Sequence, residues 1–268
     1  MRIVTVASQK GGVGKTTVTL NLGFALAKRG WRTLVVDSDP QGAIGLSLSR
    51  SLTSAHGLAE YAAGRRALAE SLVTTRLPEL SLVPIGQIAV QDTPGFGAAL
   101  ADGRVFHELG AEARARFDVL LIDTPSGFHG ITLGALRASS HVVSPVQAEP
   151  IALRSLSQLL EVVSAVREEG AEVELLGLLL MMMQMREASC LSVADELWAQ
   201  LGDLVFQTVI PRDPAFLDAS AAGVPLGLLG RRPPFVAATF DQLATEVESR
   251  LHLVAAEDNS NAPIPLVD

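Results

Sequence analysis

Three observations predict an α/β protein built on a single doubly wound, mostly parallel sheet with helices on both faces. Apolar runs rich in β-branched residues alternate with helical patterns along most of the chain. A glycine cluster joins the first run to the first helical pattern, and two other runs end on aspartate. Residues 2–8 (RIVTVAS) are the first predicted strand, bounded by the glycines. Thr16 to Arg29 follows as a helix, because Val18, Leu22, Ala25 and Leu26 share one face. Gly30 then supplies the residue that closes a helix. Residues 33–37 (TLVVD) are the second strand. Residues 56–72 suggest one or two short helices and 80–84 a short strand. Pro94, Gly95 and Gly97 make 91–103 a loop or broken helix. Residues 105–116 are helical, and 118–122 (DVLLI) form a continuous apolar strand ending at Asp123. The alternation then runs helix 130–138, strand 141–146, helix 150–168, strand 173–181, helix 190–201, strand 204–209 and a last helix over 235–250. Apolar runs without polar alternation are what a sheet covered on both faces requires. We expect one domain over 1–252 and a disordered tail over 253–268.

Composition limits what this domain does. Hydrophobic residues make up 48% and charged residues 19% of 268, too apolar for a disordered chain. The single cysteine, Cys190, cannot close an intramolecular disulfide, and no Cys/His spacing resembles a zinc site. A reducing, cytoplasmic setting is expected. Met1 to Ser8 reads as a strand rather than a secretory leader. The longest apolar stretch, Leu175 to Met183, has nine residues, against the roughly 20 that span a bilayer. Charge is uneven. Residues 1–149 carry 14 basic and 12 acidic side chains, net +2, whereas 150–268 carry seven against 17, net −10. That second half is the reverse of a nucleic-acid binder's basic stripe.

The strongest signal is Gln9-Lys10-Gly11-Gly12-Val13-Gly14-Lys15-Thr16-Thr17, between the first strand and the first helix. Backbone N–H groups wrap phosphate oxygens only where side chains do not obstruct them, and the following helix turns its positive end to the same anion. Lys15 supplies a charge for the β- and γ-phosphates and Thr16 a hydroxyl for magnesium, as in G-x-x-x-x-G-K-[ST]. The loop departs from that pattern in having Gln9 at the first glycine position and an additional lysine, Lys10. Asp37, Asp39 and Asp123 sit at or just past the carboxyl ends of predicted strands, where the ligand crevice of an open α/β sheet lies. Asp39 taken alone reads equally well as a turn former before Pro40. This is a nucleotide site.

KGGVGKTT resembles the deviant Walker A motif of the ParA/MinD family of P-loop ATPases. Val35 to Gly42 (VVDSDPQG) resembles the family's D-x-D-P-Q-G segment, and Leu121 to Pro125 (LIDTP) its Walker B strand. Pro145 to Glu149 with Ala152 and Leu153 is similar to P-V-Q-x-E-x-x-A-L, and Ile210-Pro211-Arg212 to the I-P-R loop. D-P-Q-G and I-P-R favour the ParA branch over the MinD branch. The resemblance implies a P-loop NTPase fold, ATP and Mg²⁺ as cofactors, and an ATP-dependent homodimer. It implies Lys10, Lys15 and Asp39 as catalytic residues, with Lys10 reaching the nucleotide of the opposite subunit. Gly11, Gly12, Val13, Gly14, Lys15, Thr16 and Thr17 would cradle the phosphates. Glu149, Met181, Pro211 and Asp213 would face the nucleoside, and Thr16, Asp37 and Asp123 would hold the metal. A ParB-like or other activator of a slow ATPase, cargo such as a plasmid, chromosome or protein assembly, and nonspecific DNA binding on the nucleoid are implied in the same way.

The chain also departs from the family. Met181-Met182-Met183-Gln184-Met185 stands where many relatives carry Asn or Thr, and reads either as an apolar wall for the base or as a core strand end. Asp213 stands where Asn is frequent, and Ala43 where Asn is common. Residues 150–268 contain no lysine. Arg186, Arg231 and Arg232 are the candidate DNA contacts; Arg154, Arg167 and Arg250 read as solvated charges. Such a patch predicts weak, salt-sensitive binding. The sequence after Glu246 is acidic rather than a basic amphipathic helix, so membrane insertion is not expected. A nucleotide-switched scaffold without DNA binding is the alternative. Cys190 reads as a buried structural thiol, and His129 borders the loop after Walker B.

Overall fold

The computed structural model describes residues 1–48, 52–149 and 152–254. Strand β1 (Arg2–Val6) leads through the glycine loop into α1 (Lys15–Lys28) and β2 (Thr33–Asp37). Short helices α2 (Ala43–Leu48), α3 (Leu58–Ala62) and α4 (Leu68–Ser71) precede β3 (Val73–Thr74) and β4 (Leu80–Val83). Next come α5 (Thr93–Ala101), α6 (Arg104–Ala113), β5 (Val119–Asp123), α7 (Ile131–Ala138) and β6 (His141–Gln147). The chain continues with α8 (Ala152–Glu168), β7 (Glu174–Met181), α9 (Ala188–Leu201), α10 (Ala215–Ala222) and α11 (Ala237–Arg250).

The strands form one sheet in the order β3-β4-β2-β5-β1-β6-β7. All neighbours are parallel except β3, which pairs antiparallel with β4. The register sets Val6 and Asp37 each opposite Asp123, so three strand ends meet where the chemistry is expected. Helix α1 is buried on most of its surface because α11 covers the side that faces away from the sheet. Leu22 and Leu26 are fully buried there, each worth about 1.5–3 kcal/mol relative to exposure. As expected, α1 ends at a glycine: Gly30 has φ 93° and donates its N–H to Ala27 O.

Three expectations need correction. Residues 204–209 do not form a strand; only isolated bridges join Val205 to Leu178 and Pro211 to Met183. Side chains take the backbone groups that a ladder would use: Glu246 accepts the N–H groups of Gln207 and Thr208, and Arg250 donates to Val205 O. Residues 93–101 are a helix rather than a broken segment. Pro94 falls in its first turn, where no N–H is needed, and buried Phe96 and Leu100 hold it down despite two glycines. Arg250 is not a solvated charge. It lies over the Phe206 ring, 4.2 Å from the centroid, and donates to Leu176 O and Val205 O.

Helices α2 and α10 and the two-residue β3 carry no signal that the sequence pattern reveals. Leu253 still packs on the core, donating its N–H to Glu248 O; the remainder of the expected tail, 255–268, lies outside the described residues. Among the described residues no helix is long and apolar enough to cross a membrane.

Candidate functional site

The site grows from the end of β1. Ala7 donates to Val143 O, and the chain then turns through Gly12 at φ 73° and Gly14 at φ 99°. Side chains rarely adopt such backbone, and a Cβ on Gly14 would sit 2.8 Å from Met181 Cε. Gly14 caps α1 without any side-chain hydrogen bond, so the first-turn N–H groups stay available for an anion. Gly11 and Gly12 are exposed, whereas Val13 is buried and anchors the loop to the core.

Lys15 is 7% exposed, and its Nζ donates to Ser126 Oγ at 2.9 Å. Burial lowers its pKa, opposed by the charges of Asp123 and Asp39. Thr16 Oγ1 donates to Asp123 Oδ2 at 2.7 Å, and Thr19 Oγ1 donates to Asp123 Oδ1 at 3.2 Å. Asp37 uses both carboxylate oxygens locally, accepting the N–H of Asp39 and of Ile44. Burial pushes Asp37 up to about 8, with the neighbouring Asp123 charge adding to it and the two amides opposing. Burial likewise pushes Asp123 up to about 7, against hydrogen bonds from Thr16 and Thr19 and the charge of Lys15. Asp39 accepts the Gln41 N–H at 2.9 Å in the turn its sequence suggested.

Lys10 lies at the rim, donating to Gln147 Oε1 at 2.7 Å and Glu149 Oε2 at 2.9 Å. Gln147 in turn donates to Met182 Sδ at 3.0 Å, and Met182 has φ 55°. A cleft of about 190 Å³ beside them is lined by Gln147, Glu149, Met181, Met182, Gln184 and Arg212. Met181 is 3% exposed, so it is chiefly a core side chain that also supports Gly14 from below. Pro211 bridges to Met183. Asp213 Oδ1 accepts the Ala215 N–H and so starts α10, a structural task. Among the described residues Arg186, Arg231 and Arg232 are exposed and make no hydrogen bond or ion pair; the Arg154 side chain lies outside the description. Cys190 is buried with Sγ 3.6 Å from Met183 Sδ, the structural thiol expected. The contacts of Ser126 and Thr19 carry no signal in the sequence, because neither residue is a recognised position of the motifs and only the fold brings them to Lys15 and Asp123.

The family model described as AAA domain matches residues 1–175. The chromosome partitioning protein ParA of Caulobacter vibrioides is 34% identical over 235 residues, covering 84% of this chain and 86% of its own. This chain belongs to the ParA/MinD family of P-loop ATPases. A second relative in the family, the chromosome-partitioning ATPase Soj of Treponema pallidum, is 32% identical over 256 residues, covering 93% of this chain and 98% of its own. Among solved structures, one described as cobyrinic acid a,c-diamide synthase from Mycobacterium smegmatis, with bound ATP analog and magnesium, superposes with a TM-score of 0.75. It is 30% identical and covers 91% of this chain and 93% of its own.

Proposed function

We propose that this chain is an ATP-hydrolysing switch that partitions or positions cargo by cycling between an ATP-bound dimer and a released monomer. The observation that carries the reading is the convergence at one sheet edge of Lys15, Thr16 bonded to Asp123, and Asp37 opposite Asp123, with Lys10 on the rim. The same residues fit a magnesium nucleotide. Asp37 and Asp123 are buried opposite each other in register, and the Thr16 hydroxyl lies 2.7 Å from Asp123 Oδ2. A hydroxyl, carboxylates and phosphate oxygens are the hard donors that Mg²⁺ takes.

Thr16, Asp37 and Asp123 would hold the ion, which neutralises phosphate charge when bound. Residues Gly11 to Thr17 offer backbone N–H groups to the phosphates, and Lys15 sets its charge against the β- and γ-phosphates. Asp39 orients the attacking water. Glu149, Met181, Pro211 and Asp213 would face the nucleoside, with Met181, a core side chain, supporting the phosphate loop at Gly14. Lys10, half exposed, crosses to the nucleotide of a second copy, so ATP favours the dimer by mass action and hydrolysis reverses it. Residues 1–252 form this ATPase unit. Turnover is slow until a ParB-like or other protein activator binds.

Arg186, Arg231 and Arg232, exposed and without a partner among the described residues, support nonspecific DNA binding by the ATP dimer, in the cytoplasm and on the nucleoid. A second reading, a nucleotide-switched scaffold without DNA binding, is favoured by the seven basic and 17 acidic side chains of residues 150–268. The deciding experiment is DNA co-sedimentation of Asp39→Ala with ATP and with ADP, at about 50 and 200 mM salt. ATP-dependent binding that collapses at the higher salt is expected. Dimers that ignore DNA establish the scaffold instead, and ATP consumption that requires a small-molecule acid, with no dimer, overturns both.

A further inference from the structure

We propose that the Ser126 hydroxyl reads the terminal phosphate of ATP, so that triphosphate and diphosphate are told apart by a side chain from the β5–α7 loop. The inference rests on the ATPase reading and adds a residue that the family motifs do not assign.

Ser126 is exposed at the mouth of the site, yet its oxygen accepts a hydrogen bond from the nearly buried Lys15 Nζ at 2.9 Å. The same oxygen would lie 3.3 Å from a Cβ on Gly11, so it rests against the start of the phosphate loop. The neighbouring backbone is fixed: Thr124 Oγ1 donates to Val6 O at 2.8 Å and Gly127 donates to Ser8 O at 3.1 Å. The hydroxyl is thus held between the two segments that must close on a phosphate.

The Ser126 oxygen is a neutral acceptor for the nearly buried Lys15 ammonium, and an anionic phosphate oxygen makes a stronger hydrogen bond to the same nitrogen. An anion that takes over the ammonium therefore displaces this contact. Its oxygen then lies within reach of a hydroxyl only 2.9 Å from that nitrogen, now free to donate. Loop amides and the first turn of α1 surround the phosphate nearest the helix. Ser126 belongs to the β5–α7 loop, three residues past Asp123 and outside the phosphate loop itself, and we assign it to the phosphate farther from α1, the terminal one.

The test measures binding of ADP and of the nonhydrolysable analogue adenosine 5′-(β,γ-imido)triphosphate, each with Mg²⁺, to wild type, Ser126→Ala and Ser126→Thr. Because a hydrogen bond to a charged oxygen is lost, Ser126→Ala weakens triphosphate binding about tenfold and leaves ADP within about twofold. Ser126→Thr, which keeps the hydroxyl, restores the wild-type ratio. Equal losses for both nucleotides, no loss for either, or no restoration by threonine overturns the inference while the ATPase reading stands. Wild type that binds neither nucleotide overturns both together. Ser126 is exposed, so the alanine variant folds; its unfolding midpoint, measured alongside, stays at the wild-type value.

Discussion

Lys10 and Glu149 form an ion pair, Nζ to Oε2 at 2.9 Å, that ties the start of the phosphate loop to the segment after β6. Both side chains are 48% exposed, so the pair contributes at most about 1 kcal/mol to stability. Its importance lies in where it holds the lysine. Lys10→Ala leaves the unfolding midpoint nearly unchanged but abolishes ATP-driven dimers and impairs turnover. Asp39→Ala does the opposite and accumulates dimers. Light scattering after gel filtration with saturating Mg²⁺ and ATP reads both outcomes, and an Asp39→Ala protein that remains monomeric refutes the account.

The buried aspartates predict an unusual pH dependence. Unfolded, each carboxyl ionises near 3.8; folded, Asp37 and Asp123 ionise near about 8 and about 7. Between those limits the folded state holds more protons than the unfolded chain, so stability falls as pH rises from about 4 to about 8. Carboxylates with depressed values, such as Asp118 and Glu60, have given their full contribution by the lower part of that window. Burial holds His141 below its usual range, which adds stability as pH rises through the ordinary histidine value and so opposes the trend. Asp123→Asn leaves His141 in place and removes one raised carboxyl while relieving the other. Melting curves in chelator at pH about 5.5 and about 8.5 should therefore be flatter for this variant. Mg²⁺ with ATP raises the wild-type midpoint most at the alkaline end.

Two kinds of arginine should separate cleanly. Arg250 is 19% exposed, paired with Glu246 and bonded to two carbonyls beside the Phe206 ring. Its replacement by alanine removes the donor to both carbonyls and the cation beside Glu246, which keeps the Gln207 and Thr208 amides, a loss of roughly 2–4 kcal/mol in urea denaturation. Arg231→Glu and Arg232→Glu, in contrast, leave the urea midpoint within about 0.5 kcal/mol. They lower DNA affinity and flatten its dependence on salt. Charge reversal without effect on binding removes these two residues from the DNA surface.

How far the chain could be read in advance follows from local chemistry. The strands that carry the site, β1, β2 and β5, announce themselves as apolar runs, and the glycines between β1 and α1 mark the loop. Residues 204–209 have the same apolar look, but the distant Glu246 and Arg250 decide their fate. The glycines and proline of α5 are helix breakers by propensity, overridden because Phe96 and Leu100 find a core. Within the site, Lys15, Thr16 and Asp123 were legible by motif. The partners of the two lysines, Ser126 and Gln147, depend on which strands lie side by side, and only the sheet order supplies that.

The position of β1 has a kinetic consequence. It is flanked by β5 and β6, and the hydrogen-bonded register covers Val4 to Val6 on both sides. Amides in that strand should exchange with deuterium only when the whole molecule opens. The root of the phosphate loop is therefore its most slowly yielding part, and on the proposed function the release of spent nucleotide is expected to begin in the segments after β5 and β6. In the proposed cycle the pace is then set by the loops that lean on the central strand, while the strand itself keeps still.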